Sequence, residues 1–334
     1  MRRVELSLAI NPNWRIQALL DGVVTPEGID LVISRLSPGD VFWRQLKFGE
    51  FDVSEMSLSS LLIATAKGDR RWKALPIFPD RRFFHTFSVV RARSDIHRPQ
   101  DLRGKRVGVP DYQMTAALWT RGALEHDFGV KPSEMEWHME RTPEKSHGGA
   151  TGFEPPPGVK LQYIPPDKSI NSMILSDELD AALVYVPALL TVDSMIDRSK
   201  TFLGEDQARW LFPDQDAERA RYYSKLGFIP MNHTLAVRAE ILERYPWVAL
   251  NLFKAFVEAK EVARAHLREL LAPHRQMGVV TKEAAAGLEM DPFPYGVRAN
   301  EKALALLAEY SLEQGLTPRL VRREEIFPAS VLDL

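Results

Sequence analysis

The sequence contains no cysteine, and this absence removes several kinds of chemistry at once. Disulfide bonds, thiolate nucleophiles and cysteine-ligated zinc sites all need the missing thiol. The chain also lacks a marked excess of either charge, since its formal net charge is −2. No basic block is long enough to follow a phosphate backbone, so we expect no nucleic-acid partner.

Long apolar segments are absent too. No uninterrupted apolar stretch reaches the roughly 20 residues that a membrane-spanning helix needs, so we expect no membrane association. At the N-terminus, Glu5 and Ser7 interrupt the apolar residues, and Asn11-Pro12-Asn13 ends them too early for a secretion signal. We therefore predict a cytoplasmic protein.

The motifs of nucleotide-binding, serine-hydrolase and metal chemistry are also missing. The chain has neither a Gly-rich phosphate loop nor a Gly-x-Ser-x-Gly elbow. Its 8 histidines are scattered, and no pair shares a helical face beside a carboxylate. We therefore expect neither a metal nor any other cofactor.

Apolar periodicity predicts an α/β fold. Strand and helix patterns alternate through the first third of the chain, which is typical of mostly parallel sheets covered on both faces by helices. A length of 334 residues suits two lobes better than one. Predicted strands cover residues 4–10, 29–34, 52–55, 72–78, 85–91, 107–109, 159–164 and 180–186. Predicted helices cover residues 15–21, 40–48, 61–66, 169–175, 246–271 and 300–314.

Two strand-to-helix junctions are candidate anion sockets. In one, the strand at 107–109 ends at Pro110 and a helix begins near Thr115. In the other, the strand at 52–55 leads through serines into the helix at 61–66. Unpaired N–H groups at a helix N-terminus attract carboxylates and phosphates. Two such sockets favour a small anionic ligand, whereas either one alone would be an ordinary turn of an α/β sheet.

Residues 142–157 interrupt the regular pattern. The segment is rich in glycine and proline and shows no periodic apolar face. A loop of this length in a compact domain is either a functional lid or a disordered connection. The sequence leaves both alternatives open.

Several segments together resemble one known family. Residues 101–110, followed by a helix and later by a Leu-Asp-Ala-Ala strand, resemble the type II periplasmic-binding-protein fold. More narrowly, the chain resembles the 4,5-dihydroxyphthalate decarboxylase branch of that superfamily. The segments that carry this narrower resemblance are Leu75-Pro-Ile-Phe-Pro79 with Arg81 and His85, Tyr112 to Trp119, Arg121-Gly122, Gly227-Phe-Ile-Pro-Met-Asn-His233 and Asp291-Pro-Phe-Pro-Tyr-Gly296. One departure is Phe84, because the family pattern has an arginine directly before the histidine.

The resemblance implies a two-lobed α/β fold in which each lobe is a mostly parallel sheet flanked by helices, with a ligand cleft between the lobes. It implies a discontinuous first lobe, residues 1–107 and 227–334, and a second lobe, residues 108–226. It further implies a cofactor-independent carboxy-lyase of aromatic catabolism that converts a hydroxylated aromatic dicarboxylate such as 4,5-dihydroxyphthalate to protocatechuate. A small aromatic carboxylate would be the only partner apart from further copies in a homo-oligomer.

Three residues are the main candidates for catalysis and substrate binding under this resemblance. Arg81 would pair with a substrate carboxylate, because a planar guanidinium grips both oxygens. Without the resemblance, a surface arginine is the simpler interpretation. His85 and His233 are the candidate proton donors, since imidazole titrates near neutral pH. A lone histidine is otherwise more often structural.

Five further residues are candidates for contacts with the substrate. Tyr112 and Thr115 flank one socket and are suited to hydrogen-bond a ring hydroxyl or a carboxylate. Ser57 and Ser59 would do the same from the first lobe, although helix capping explains these serines equally well. Lys225 would add a positive charge near the site.

The alternative function is a non-catalytic solute-binding protein for a small carboxylate or a thiamine-precursor-like ring. Many proteins of this fold only bind their ligands, so the fold by itself favours this alternative. The lack of an apparent secretion leader favours the enzyme, because a transporter's receptor must be exported.

Overall fold

The structure, a computed structural model, describes residues 3–185 and 193–334. Its strands are β1 (Val4–Ile10), β2 (Ile29–Arg35), β3 (Val53–Ser57), β4 (Trp72–Leu75), β5 (Val89–Arg91), β6 (Arg106–Val109), β7 (Glu136–Met139), β8 (Lys160–Tyr163), β9 (Ala181–Ala182), β10 (Ala208–Trp210) and β11 (His233–Arg238). Its helices are α1 (Gln17–Leu20), α2 (Pro38–Phe48), α3 (Leu58–Ala66), α4 (Thr115–Phe128), α5 (His147–Thr151), α6 (Ile170–Leu175), α7 (Gln215–Leu226), α8 (Ala239–Arg244), α9 (Val248–Gln276), α10 (Lys282–Glu289), α11 (Glu301–Glu313) and α12 (Arg323–Ile326).

The strands form two sheets. The first has the order β2-β1-β3-β11-β4, and the second has the order β10-β5-β9-β6-β7-β8. In the first sheet β1 pairs in parallel with β2 and β3, while β11 runs antiparallel between β3 and β4. In the second sheet β9, β6, β7 and β8 are parallel, and β5 and β10 are antiparallel additions. The α/β class is confirmed, and both sheets are mixed.

The chain passes between the sheets twice, and the two crossing segments lie side by side. Arg81 and Met231 form an isolated antiparallel bridge. The Arg82 N–H donates to the Pro230 carbonyl (3.1 Å), and the Asn232 N–H donates to the Asp80 carbonyl (2.9 Å). This pairing is a two-stranded connection of the kind that the resemblance implied.

The position of the crossings bears on the division into lobes. β5 and the whole of β6 belong to the second sheet, although the expected division placed residues 1–107, and with them β5 and the first half of β6, in the first lobe. We propose that the second lobe begins near residue 88. Its proposed end at residue 226 coincides with the end of α7.

A close contact between α4 and α11 explains the Arg121-Gly122 motif. A Cβ added at Gly122 would lie 2.2 Å from the Tyr310 ring, so only glycine lets the two helices approach this far. Arg121 is fully buried and donates to the Tyr112 carbonyl (2.7 Å) and the Gln314 side chain (2.8 Å). The motif is therefore explained by packing.

Local structure differs from the sequence prediction at several places. The predicted strand at 85–91 was wrong in its first half, where Phe84–Thr86 forms a 3₁₀ turn. The predicted loop at 142–157 contains α5, whose first residue, His147, is only 1% exposed. A five-residue helix is too short to show a periodic apolar face, so the pattern missed it. Of the predicted strand at 180–186, Ala181–Ala182 is a strand, and residue 186 lies outside the described residues.

No helix in the described parts of the chain combines the length and the apolar composition that crossing a bilayer requires.

Candidate active site

A cavity of about 540 Å³ lies between the two sheets. Its walls come from the segments that follow β1, β3, β6 and β7 and from the two crossing segments. The carboxyl ends of parallel strands are where α/β folds bind ligands. The polar side chains that line the cavity include Arg15, Glu55, Ser57, Asp80, Arg81, Thr115, Glu140, Arg141, His147, Asp197, Ser199 and His233.

His233 is the first residue of β11 and sits opposite Ser57 at the end of β3. Its Nδ1 lies 2.6 Å from Oε1 of Glu55, and both side chains are buried. The other carboxylate oxygen of Glu55 accepts the Asn11 N–H (2.9 Å). A carboxylate has no proton to give, so Nδ1–H of His233 is the donor. Nε2 makes no hydrogen bond to any described residue and remains for a ligand in the cavity.

A second histidine, His147, lies near His233, and the edge of the Phe42 ring packs against both. The Phe42 centroid is 4.6 Å from the His233 ring and 5.3 Å from the His147 ring. Nε2 of His147 accepts from Arg141 (2.9 Å), which can only donate, so the proton is on Nδ1, 3.3 Å from Ser60 Oγ. Burial, Arg141 and His233 hold the pKa of His147 well below its usual value. His147 is therefore neutral at neutral pH.

Arg141 is a buried cation whose charge is already neutralised. Its Nε and Nη2 donate to the two carboxylate oxygens of Asp197 at 2.8 and 3.2 Å, and Asp111 lies 3.9 Å away. Burial alone would lower the pKa of Arg141, but Asp197 and Asp111 outweigh it and raise that pKa. The Arg141 guanidinium already donates to Asp197 and His147, so it positions His147 and has little capacity left to bind a ligand.

Arg15 and Arg81 are different, because neither forms an ion pair with any carboxylate in residues 3–185 or 193–334. Both are at least 93% buried, at 7% and 5% exposure. Arg81 donates to the carbonyls of Ile229 and Pro294 (3.0 Å each) and to Asn300. Arg15 donates to the Pro79 carbonyl, and its guanidinium also interacts with the Tyr295 side chain.

Burial of the Arg15 and Arg81 guanidiniums makes binding of an anion beside them energetically favourable. Burial lowers the pKa of Arg81 to about 10, and burial likewise lowers the pKa of Arg15. Both groups stay charged at neutral pH, and each contributes to a positive potential at the cavity. An uncompensated buried charge is costly, so a carboxylate ligand would relieve it.

The two predicted anion sockets meet at one wall of the cavity. Ser57 Oγ and Thr115 Oγ1 are 2.9 Å apart, and Thr115 Oγ1 also accepts the Ser59 N–H (2.9 Å). Met114, the residue before α4, provides no side-chain cap for that helix. Thr115 and Ala116, the first residues of α4, line the cavity, so the positive end of the helix dipole lies at this wall.

Several of the other candidates lie outside this cavity. His85 is buried against Phe212 and Tyr222 and hydrogen-bonds Glu218. Tyr112 is fully buried, with the Arg121 guanidinium 3.9 Å from its ring centroid. The Ser59 hydroxyl is buried away from the lining residues, and Lys225 is an exposed partner of Asp127. Their positions favour structural roles, which is the alternative that the sequence left open for His85 and Ser59.

Sequence reasoning did not single out Arg15, Arg141 or His147. Arg15 follows β1 by a few residues, and Arg141 lies two residues after β7. Proximity to the carboxyl end of a parallel strand was the available signal. It was weak for Arg141 because no strand was predicted at β7. In the described ranges, no group of three or more His, Asp or Glu side chains is arranged to hold a metal ion.

Comparison with known proteins decides the family. The 4,5-dihydroxyphthalate decarboxylase of Comamonas testosteroni is 32% identical over 335 residues, covering 99% of this chain and 98% of the relative. The chain belongs to the 4,5-dihydroxyphthalate decarboxylase family. A second member, from Pseudomonas putida, is 36% identical over 229 residues, which is 68% of this chain and 84% of the relative. No family model matches the chain.

Solved structures establish the fold that this family member adopts. The alkanesulfonate-binding protein SsuA of Xanthomonas axonopodis pv. citri superposes with a TM-score of 0.54 at 11% identity, covering 96% of both chains. The SsuA of Escherichia coli gives 0.54 at 15% identity over 99% of this chain and 93% of that one. The desulfurization enzyme DszB gives 0.54 at 17% identity over 98% and 96%. These likenesses confirm the periplasmic-binding-protein-like fold.

Proposed function

We propose that this chain is a carboxy-lyase that removes CO₂ from a hydroxylated aromatic dicarboxylate of the 4,5-dihydroxyphthalate kind, producing a protocatechuate-like acid. The names of its relatives support the reaction class. One observation in the cavity carries the proposal further. His233, with Glu55 on its Nδ1, presents Nε2 to a cavity that is also lined by Arg15, a buried cation that forms no contact ion pair with a described carboxylate.

The proposed chemistry needs one proton at one carbon. A ring hydroxyl para to the departing carboxylate stabilises the cation that forms when the carbon bearing that carboxylate is protonated. The C–C bond to the carboxylate then breaks, its electron pair returns to the ring, and CO₂ leaves. His233 supplies the proton from Nε2 and becomes neutral, and solvent restores the proton after product release.

Glu55 and Asp80 place carboxylates beside His233. Glu55 bonds Nδ1 directly and so fixes the orientation of the ring, with Nε2 toward the cavity. Asp80 lines the same cavity, and although burial would raise the pKa of Asp80, Arg82 and His233 are among the groups that lower it.

The retained carboxylate is assigned to Arg15, with Arg81 as a supporting charge. Both guanidiniums line the cavity, but the two terminal nitrogens of Arg81 already donate to backbone and amide oxygens. Arg15 makes one backbone hydrogen bond, to the Pro79 carbonyl, and so has more donor capacity left for a ligand than Arg81. Ser57 and Thr115 would meet a polar group of the substrate near the N-terminus of α4. The walls contributed by Phe42 and Phe293 would hold the ring.

Turnover of 4,5-dihydroxyphthalate is the experiment that tests this function. Purified protein is incubated with the compound, and formation of protocatechuate is followed by absorbance while released CO₂ is trapped. We expect both products in equal amounts. Phthalate is the matched control, because it has both carboxylates but no hydroxyl to stabilise the ring cation. Absence of turnover together with ligand-induced thermal stabilisation would indicate a solute-binding protein instead.

Cytoplasmic location and assembly into a homo-oligomer belong to the same proposal. Subcellular fractionation and light scattering of the purified protein are the measurements that test them.

A further inference from the structure

A second cavity, of about 650 Å³, adjoins the first. It is enclosed by α7, the middle of α9, the end of α10 and the segment 290–294. Four residues line both cavities and form the partition between them, namely Trp14, Arg15, Arg81 and Phe293. None of the roles proposed for the first cavity requires the second.

Basic side chains outnumber carboxylates in the lining of the second cavity, although two of them, Arg219 and Arg264, pair with Asp216 and Glu261. Its basic lining residues are Arg15, Arg81, Arg219, Lys260, Arg264 and Arg268, whereas its carboxylates are Glu289 and Asp291. Both carboxylates already have partners. Asp291 pairs with Lys260 at 2.6 Å, and Glu289 lies 3.6 Å from Arg275. Arg268 forms no ion pair with any carboxylate in the described part of the chain.

The two arginines of the partition have buried donors that no described acceptor satisfies. Each has a buried Nε that bonds no acceptor in residues 3–185 or 193–334. Each is more than nine-tenths buried and lacks a carboxylate partner. A guanidinium in this state gains from any negative charge placed on either side of the partition.

The remaining lining is apolar and suited to a ring. It includes Phe83, Phe228, Leu267, Leu288, Met290 and Phe293. Apolar walls combined with a few cationic groups are the complement of an aromatic carboxylate.

We propose that this second cavity is an accessory binding site for an aromatic carboxylate. The ligand class rests on the proposed function, since substrate and product would both be aromatic carboxylates. The site itself does not depend on turnover. Ligand held there would lie directly behind Arg15 and Arg81, next to the reaction cavity.

Calorimetric titration of the full chain with phthalate tests the site without requiring catalysis. Phthalate is the probe because it carries the anionic groups and the ring but lacks the hydroxyls that decarboxylation needs. We expect two binding events per chain. Arg268→Glu should weaken one event about tenfold or more, because it places a negative charge at the cavity mouth. Arg93→Glu is the matched control, since Arg93 is exposed, unpaired in the described residues and outside both cavities.

A second variant tests whether the ligand occupies the volume of the second cavity, by filling that volume without changing its charge. Gly287 lines the cavity, and nothing lies within 4 Å of a Cβ added there. Gly287→Phe should remove the same event that Arg268→Glu weakens, and Gly287→Ala should leave both events. A single event in the wild type, or a second event that both Arg268→Glu and Gly287→Phe leave unchanged, overturns the accessory site. The proposed function fails on a different measurement, namely turnover of 4,5-dihydroxyphthalate.

Discussion

Two buried histidine–carboxylate pairs lie in this molecule, and they differ in what surrounds them. His233 bonds Glu55 at 2.6 Å, and His85 bonds Glu218 at 2.8 Å. The His233 pair lines the cavity between the sheets, whereas His85 packs against the rings of Phe212 and Tyr222 and lines neither cavity that surrounds Arg15.

The carboxylates differ as well. Burial by itself would raise the pKa of Glu218, but hydrogen bonds from Arg221 and His85 outweigh it and lower that pKa to about 2. Glu218 thus belongs to a stable ionic cluster that joins α7 to the crossing segment. The His85–Glu218 pair is structural, whereas the His233–Glu55 pair contains a candidate proton donor. The difference is that a ring nitrogen of His233 faces a cavity and none of His85 does.

The largest effect expected is from His233→Asn. This change removes the proposed acid while keeping a group that can hydrogen-bond Glu55. We expect kcat for 4,5-dihydroxyphthalate to fall by about 10²–10⁴, the usual contribution of a positioned acid. Steady-state kinetics at several pH values measure it.

His85→Asn is the matched variant for that experiment. It removes a buried hydrogen bond to a charged group, so we expect a loss of about 1–3 kcal/mol in the free energy of unfolding and a kcat within a few-fold of wild type. If His85→Asn lowers kcat as much as His233→Asn in protein that is still folded, the difference drawn between the two pairs is wrong.

Glu55→Gln is expected to have the next largest effect. The amide keeps a hydrogen-bonding group beside Nδ1 of His233 but removes the negative charge, so kcat should fall by about tenfold or more. Steady-state kcat is the measurement. Glu218→Gln should leave kcat within a few-fold of wild type. An unchanged kcat in folded Glu55→Gln protein would end the role of Glu55.

Arg15→Gln tests the cation that faces the His233 pair. Loss of a charge-assisted contact to a carboxylate should raise KM by about 10- to 100-fold with a smaller change in kcat. Arg81→Gln should raise KM less and lower stability more, because the Arg81 guanidinium bonds the crossing segment and Asn300. Denaturation and kinetics on both variants separate the two roles. Equal KM for Arg15→Gln and wild type would remove Arg15 from substrate binding.

The smallest expected effect concerns His147, a buried histidine with no carboxylate on its ring. Its pKa in the folded protein lies well below the usual value of 6.5, first because of burial. At pH values between the lowered pKa of the folded protein and 6.5, the unfolded chain binds a proton at His147 that the folded chain does not. Stability therefore falls as the pH falls through this range. His147→Gln should flatten that dependence in denaturant titrations between about pH 7.5 and 5.5, and parallel curves for the two proteins would refute it.

Much of the fold could be predicted because its signals are local. The alternation of apolar residues located β1 at 4–10 as the structure has it, and it located β2 to within one residue. Short elements were not predicted, because α5 and the 3₁₀ turn at Phe84–Thr86 each span fewer than two periods of the helical pattern. The residues of the candidate site were harder to predict. Ser57, Thr115 and His233 do line one cavity, but Tyr112 and Lys225 do not.

The sequence by itself determined the chemistry that is excluded, the α/β alternation and the set of side chains able to donate a proton or hold an anion. These follow from residue type and from periods of two or 3.6 residues. Only the tertiary structure decided which histidine faces the cavity and which arginines lack a counter-ion. Glu55 and His233 are 178 positions apart, and His85 and Glu218 are 133 apart. Burial and charge at such residues are set by neighbours from distant segments, and no local pattern records those neighbours.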